Sequence, residues 1–161
     1  MKFRIPGMNK LVYLRLKVID LNEVVVGLIS GKDRESNHYI FLDYDDCGLE
    51  KIESELRSFM QMEKIPKFLV VESSPGKYHA LSFSPLPFLR MIGIMNASSC
   101  DKRQAGHAMQ DGYCTIRFTA KAGSKPKIIK ELEGNGSAFY YHVAETAYRK
   151  LIGEDYGSID S

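Results

Sequence analysis

A chain of 161 residues, 44% hydrophobic and 26% charged, has the makeup of an ordinary globular domain and is long enough to bury a real core. That balance excludes a disordered class, and a formal net charge of only +2 means that any affinity for nucleic acid must come from a local patch. No apolar stretch approaches the roughly 18 residues needed to cross a bilayer, so no membrane partner is expected. The basic start Met1–Lys10 is not followed by a signal-type apolar core, because Arg15, Lys17 and Asp20 break the run after Leu11. Cys47, Cys100 and Cys114 form no CxxC pair, which fits a reducing compartment and predicts a cytoplasmic protein.

In chain order, Val24 to Ile29 reads as a buried strand, Gly31 to Asn37 as a polar turn and His38 to Asp45 as a second strand. Leu49, Ile52, Leu56, Phe59 and Met60 then recur at helical spacing and give one core-facing stripe. Lys67 to Glu72 is a strand, Ser73-Ser74-Pro75-Gly76 a turn, and Lys77 to Phe83 a returning strand. Phe88 to Met95 follows two prolines as a helix. Tyr113 to Lys121 alternates, with Cys114, Ile116, Phe118 and Ala120 on the core face and Thr115, Arg117, Thr119 and Lys121 on the other. Val143 to Ile152 closes the chain as a helix. The expected organisation is one domain over 1–152 with a fraying tail at 153–161. Its fold class is α+β, a mostly antiparallel sheet with helices packed on one face.

The most informative feature is the apolar run Ile40-Phe41-Leu42, which ends in Asp43-Tyr44-Asp45. Side chains two apart on a strand share a face, so the two carboxylates stand side by side at the strand end. They repel unless something positive lies between them. Mg²⁺ or Mn²⁺, which takes oxygen ligands and shares them with substrate phosphates, is the economical candidate.

Asp43-Tyr44-Asp45, then Gly76-Lys77-Tyr78-His79, then the strand Thr115 to Lys121 occur in an order that resembles the catalytic core of the archaeo-eukaryotic primase superfamily, especially its small primase-polymerases. The first is similar to that family's hydrophobic-Asp-x-Asp motif, the second to its small-x-His motif and the third to its strand with a basic phosphate contact. The resemblance spans residues 38 to 130 and implies an RRM-like sheet and a metal-dependent nucleotidyltransferase. Such an enzyme makes or extends a strand on a single-stranded DNA template or primer-template from nucleoside triphosphates. By the same resemblance Asp43 and Asp45 are metal ligands and catalytic, and Lys77, His79, Arg117 and Lys121 bind the nucleotide. Asp111 is the candidate third catalytic acid. Lys125 and Lys127 extend a basic cluster that would meet nucleic acid, and a helicase or accessory primase subunit is the candidate protein partner.

Blander readings exist for each motif. Asp43 to Asp46 can serve as a polar strand exit and N-cap for the helix at Leu49. His79 can be a half-buried strand histidine bonded to backbone, and Arg117 with Lys121 a solvated face. Cys100, His107 and Cys114 lack the close pairs and fourth ligand of structural zinc, and Cys114 falls on an apolar face as a core thiol would. Tyr140-Tyr141-His142 can stack on bases or enter the core. At the level of function the rivals are a non-catalytic single-stranded nucleic-acid-binding module and a metal-dependent nuclease.

Overall fold

Both β-branched and aromatic residues crowd the segment from Tyr39 to Tyr44, and both faces of the strand they form are buried: Ile40, Phe41 and Leu42 are all 0% exposed. A consecutive buried run requires cover on both sides of the sheet. The computed structural model describes residues 2–4, 11–13, 16–20, 23–118 and 125–154. Its elements are β1 (Lys2–Arg4), β2 (Leu11–Tyr13), β3 (Leu16–Asp20), β4 (Glu23–Ile29), β5 (Asn37–Tyr44), α1 (Leu49–Glu63), β6 (Lys67–Ser74), β7 (Lys77–Pro87), α2 (Phe88–Ala97), α3 (Lys102–Asp111), β8 (Thr115–Arg117), β9 (Lys127–Glu133) and α4 (His142–Ile152). None of the described helices is long and apolar enough to cross a membrane.

The main sheet has the order β5-β7-β6-β9, with every neighbour antiparallel. A second sheet runs β3-β4-β8, also antiparallel, and β1 pairs with β2. The protein is therefore α+β with antiparallel sheets. Strand alternation divides the main sheet into a face carrying Ile40, Leu42 and Tyr44 and a face carrying Phe41, Asp43, His79 and Phe83. On the first face the Tyr44 hydroxyl reaches Glu55 of α1, and the His38 ring packs 5.1 Å from Phe88 of α2. On the second, Phe83 meets Tyr148 of α4 at 6.0 Å between ring centroids. Helices thus cover both faces, not one as the order of elements suggests, because the continuous apolar run in β5 leaves neither face fit for water.

The helical stripe behaves as its spacing predicts: Ile52, Leu56, Phe59 and Met60 are buried and Leu49 is half-buried. Five elements, β1, β2, β3, α3 and β9, are additions to the sequence reading. α3 buries only Ala105 and Ala108, so its apolar stripe is too thin to show as periodicity, although Asp101 caps its start by accepting from Arg103 N–H and Gly112 ends it at φ 79°. β9 is an edge strand whose charged residues outnumber its apolar ones. The strand expected from Tyr113 begins at Thr115 and follows the expected alternation, with Cys114, Ile116 and Phe118 buried. Residues 119–121, with Lys121, lie outside the described residues, as does the tail beyond Glu154.

A buried ion cluster fastens α4 to the sheet. Arg149, 5% exposed, donates to Glu145 at 2.7 Å, Glu131 at 2.6 Å and Glu154 at 3.1 Å. Lys67 completes the cluster, bonding Glu131 at 2.6 Å and Glu145 at 3.0 Å. Burial alone would raise the Glu145 carboxyl, but the bonds from Lys67 and Arg149 outweigh it and hold Glu145 below its usual range. Removing one partner of such a cluster leaves a buried charge short of its counter-charge. Arg149→Met is therefore expected to cost about 3–5 kcal/mol, lowering the melting temperature by about 10 °C. The double variant Arg149→Met/Glu145→Leu should recover much of that loss, and thermal melts of the three proteins check both steps.

Candidate functional site

The ends of β5 and β7 come together where the register pairs Asp43 with His79. The backbone of Asp43 faces away from β7: its N–H donates to Gln104 Oε1 at 3.0 Å and its carbonyl accepts from Asp101 N–H at 2.7 Å. Asp43 and His79 are thus a non-hydrogen-bonded cross-strand pair, the kind that brings side chains closest. Asp43 Oδ1 lies 3.5 Å from His79 Nε2.

Beyond the strand end, Lys77 Nζ donates to Asp45 Oδ1 at 2.8 Å. The turn that begins β7 allows this. Gly76 adopts φ 72°, a conformation costly for any residue with a Cβ, and its N–H donates to Glu72. Lys77 and His79, two apart on β7, then share a face with the acids. Arg117 arrives from the other sheet, where β8 pairs Arg117 with Gly27 of β4. A Cβ at Gly27 would collide with the Ile116 carbonyl, so the close approach of β4 to β8 depends on glycine there.

Charge and burial set the protonation states. Burial, then the neighbouring Asp45 and Asp101, push the Asp43 carboxyl up to about 6, against the opposing pull of Lys77 and Arg117. His79 moves the other way, down to about 4, first through burial and then through the Arg117 charge. At neutral pH the pair is a carboxylate beside a neutral imidazole. Among the described residues, His79 Nδ1 is buried with no hydrogen-bond partner.

Five of the sequence-predicted residues, Asp43, Asp45, Lys77, His79 and Arg117, are brought into this one cluster. Asp111 is not: it is the exposed last residue of α3, a helix of ten residues and so about 15 Å long, whose opposite end meets Asp43. Asp101, at that near end, is the acid of this helix that, with Asp45, acts on Asp43. Lys125 and Lys127 are exposed, and Lys127 begins β9, three strand spacings or about 14 Å across the sheet from β5. They do not join the cluster. Asp101 and Gln104 are the neighbours of Asp43 that sequence reasoning missed. The available signal was the N-cap aspartate opening a helix, which carries no hint of contact with a strand far away in the chain.

The blander readings can be weighed against this geometry. The N-cap of α1 is Gly48, and no side chain caps it, so Asp45 and Asp46 do not serve as caps. His79 is buried rather than half-buried, and Arg117 is half-buried rather than solvated. Cys100 and Cys114 are free and buried while His107 is exposed, and among the described residues no group of three or more His, Cys, Asp or Glu is arranged to hold a metal ion. Tyr140 is a core residue against Phe83, and Tyr141 packs on Tyr39 and Phe139. Compared with family models, curated proteins and solved structures, the chain matches none.

The opposed shifts of Asp43 and His79 give opposite stability slopes. Asp43 binds its proton more tightly folded than unfolded, so its contribution to stability rises as pH falls from about 6 towards 4. His79 is neutral when folded and protonates more readily when unfolded, so its contribution is full above the ordinary 6.5 and is lost as pH falls towards about 4. Asp43→Asn is expected to melt above the wild type at pH 7.5, with the gap closing by pH 4. His79→Gln should instead gain on the wild type as pH falls below 6. Melting curves of the three proteins across pH 4 to 8 check both slopes.

Proposed function

We propose that this protein is a metal-dependent nucleotidyltransferase of the primase-polymerase kind, extending or starting a DNA strand on a single-stranded template. The observation that carries the reading is the meeting of the Asp43–His79 pair, 3.5 Å apart, with Arg117 in electrostatic reach of both. A carboxylate with a raised pKa among convergent charged groups is the kind of perturbation that concentrates at functional sites.

The donor set fits a hard cation that is shared with substrate. Asp43 and Asp45 supply oxygen ligands close enough for each to feel the other's charge, and no third protein ligand is needed when water and triphosphate oxygens complete the shell. Mg²⁺ or Mn²⁺, when bound, supplies charge neutralisation and Lewis-acid polarisation at the α-phosphate. In the free protein Lys77 provides the positive charge beside Asp45. Arg117 offers its planar donor fork to phosphate oxygens, where charge develops in transfer. His79, neutral at pH 7, can hydrogen-bond a phosphate oxygen without adding charge, and its burial excludes water from the acid's flank.

A nucleic-acid-binding module has no use for a carboxylate held at a raised pKa, which disfavours the non-catalytic rival. A nuclease would use the acids but has less need of cations on both sides of them, which Lys77 and Arg117 supply. A cytoplasmic setting, with nucleoside triphosphates and a single-stranded template as partners, agrees with the three free thiols. A helicase or accessory primase subunit is the protein partner this function would call for.

The test is strand growth on a labelled template, with and without primer, in Mg²⁺ or Mn²⁺. Metal-dependent growth is expected, abolished in Asp43→Ala/Asp45→Ala and lowered about 10²- to 10³-fold in Arg117→Ala, the usual cost of one charge-stabilising donor. Shortening of the labelled strand would favour the nuclease. Template binding that is equal in wild type and double variant, with no growth, would favour the binding module.

A further inference from the structure

Gln104 sits in the first turn of α3 with its side chain half-buried. Its Oε1 accepts from the Asp43 N–H at 3.0 Å, and its Nε2 lies 3.4 Å from the Thr115 carbonyl as donor. The two backbone groups it meets belong to the two strands that build the site, β5 with the acid and β8 with Arg117, which lie in different sheets. Among the described residues, no backbone hydrogen bond joins Asp43 to β8. Among the described residues, the α3 side chain that bonds both strands is this amide.

A primary amide is the side chain suited to that position. Asp43 N–H can only donate and the Thr115 carbonyl can only accept, so the bridging group must carry both an acceptor and a donor at a fixed separation. Those demands also fix which way the amide is turned. Glutamate keeps the acceptor and loses the donor. Alanine loses both. The carbonyl of Asp43 is held separately by the Asp101 N–H at 2.7 Å, a backbone bond that a change at Gln104 leaves in place.

We propose that Gln104 is a positioning residue that fixes the separation between the acid pair on β5 and Arg117 on β8. The inference rests on the nucleotidyltransferase reading, since that reading is what requires one triphosphate to touch both. Gln104 touches no substrate. It acts by holding the two halves of the site at the spacing where a metal-bound phosphate meets the Arg117 fork, and misplacement of such a group by about 1 Å can cost 10²-fold in rate.

The experiment compares wild type, Gln104→Ala and Gln104→Glu as full chains, with two readouts. The first is amide hydrogen exchange, which does not depend on catalysis: exchange at Asp43 should quicken about tenfold in Gln104→Ala, the loss of one ordinary hydrogen bond, and stay near wild type in Gln104→Glu. Core amides such as Val70 should not change in either. The second is primer extension with varied dNTP in Mn²⁺. Gln104→Ala should lose about 10- to 100-fold in kcat/KM, mostly in kcat, because the amide serves the transition-state geometry rather than ground-state binding. Gln104→Glu should fall between the two. Unchanged exchange at Asp43, or unchanged kcat in Gln104→Ala with an active wild type, would overturn the role of Gln104 while leaving the reading of the site intact. A wild type that extends no primer would overturn that reading, and the positioning role with it.

Discussion

The structure turns on how Asp43 is held. It belongs to an edge strand of the main sheet, and its own backbone points outward, where the start of α3 takes up both its N–H and its carbonyl. That arrangement satisfies two polar groups that would otherwise be left unpaired beside the core. It also decides the cross-strand geometry, since a residue whose backbone bonds point away from its partner strand has its side chain nearest that partner's. The 3.5 Å approach to His79 follows from the hydrogen-bond pattern rather than from any attraction between the two groups.

The electrostatic consequence is a site that opposes the stability of its own fold. Burial, Asp45 and Asp101 all disfavour the Asp43 carboxylate, and burial disfavours a charged His79. The ion cluster around Arg149 shows how the same chain treats charges whose task is structural: every carboxylate there has a cation within 3.1 Å, and Glu131 and Glu145 are held below their usual range. At the acid pair the balance is left short of positive charge, with Lys77 serving Asp45 and Arg117 acting at longer range. The Asp43 carboxylate is thus less compensated than the carboxylates around Arg149.

Much of this was legible in the sequence where local pattern carries the information. The apolar stripe of α1, the strand ending at Tyr44 and the turn at Gly76 follow from spacing and turn chemistry, and alternation in 114–118 correctly sorts Cys114 and Ile116 inward from Thr115 and Arg117. Of the residues that the resemblance to a primase core picked out, the fold brings Asp43, Asp45, Lys77, His79 and Arg117 together; Asp111, Lys125 and Lys127 lie apart, and Lys121 is outside the described residues. Hidden from the sequence was whatever depends on contact between distant segments. α3 buries only two alanines, so its position rests largely on hydrogen bonds to distant segments, which link Asp101 and Gln104 to Asp43, Lys102 to the end of α2 and Arg34 to the carbonyls of the last turn of α3, and no periodicity encodes those. Helix cover on both faces was present in the unbroken run from Ile40 to Leu42, a sign of burial on both sides that the order of elements outweighed.

The two halves of the site come from two sheets, and a joint at Ser30 helps to align them. Ser30, just past β4, donates its N–H to the Cys114 carbonyl at 2.8 Å and accepts from Tyr39 N–H of β5 at 2.9 Å, so its backbone bonds both β5 and the start of β8. Its hydroxyl accepts from Cys114 N–H and lies 2.9 Å from His38 Nδ1, while His38 Nε2 meets the Asp33 carbonyl at 2.7 Å. Because the Asp33 carbonyl can only accept, Nε2 carries the proton and Nδ1 accepts from Ser30, which makes His38 neutral; burial, which lowers its pKa, keeps it so. Gly31 leaves room for the ring, since a Cβ there would strike it. A buried polar network with each member satisfied is rigid, and this one fixes the hinge between β4 and β5. Gln104 ties β5 and β8 again nearer the acid end. Two strands fastened at two points cannot pivot about either, and the direction in which Arg117 meets Asp43 and His79 is set by the fold before any ligand arrives.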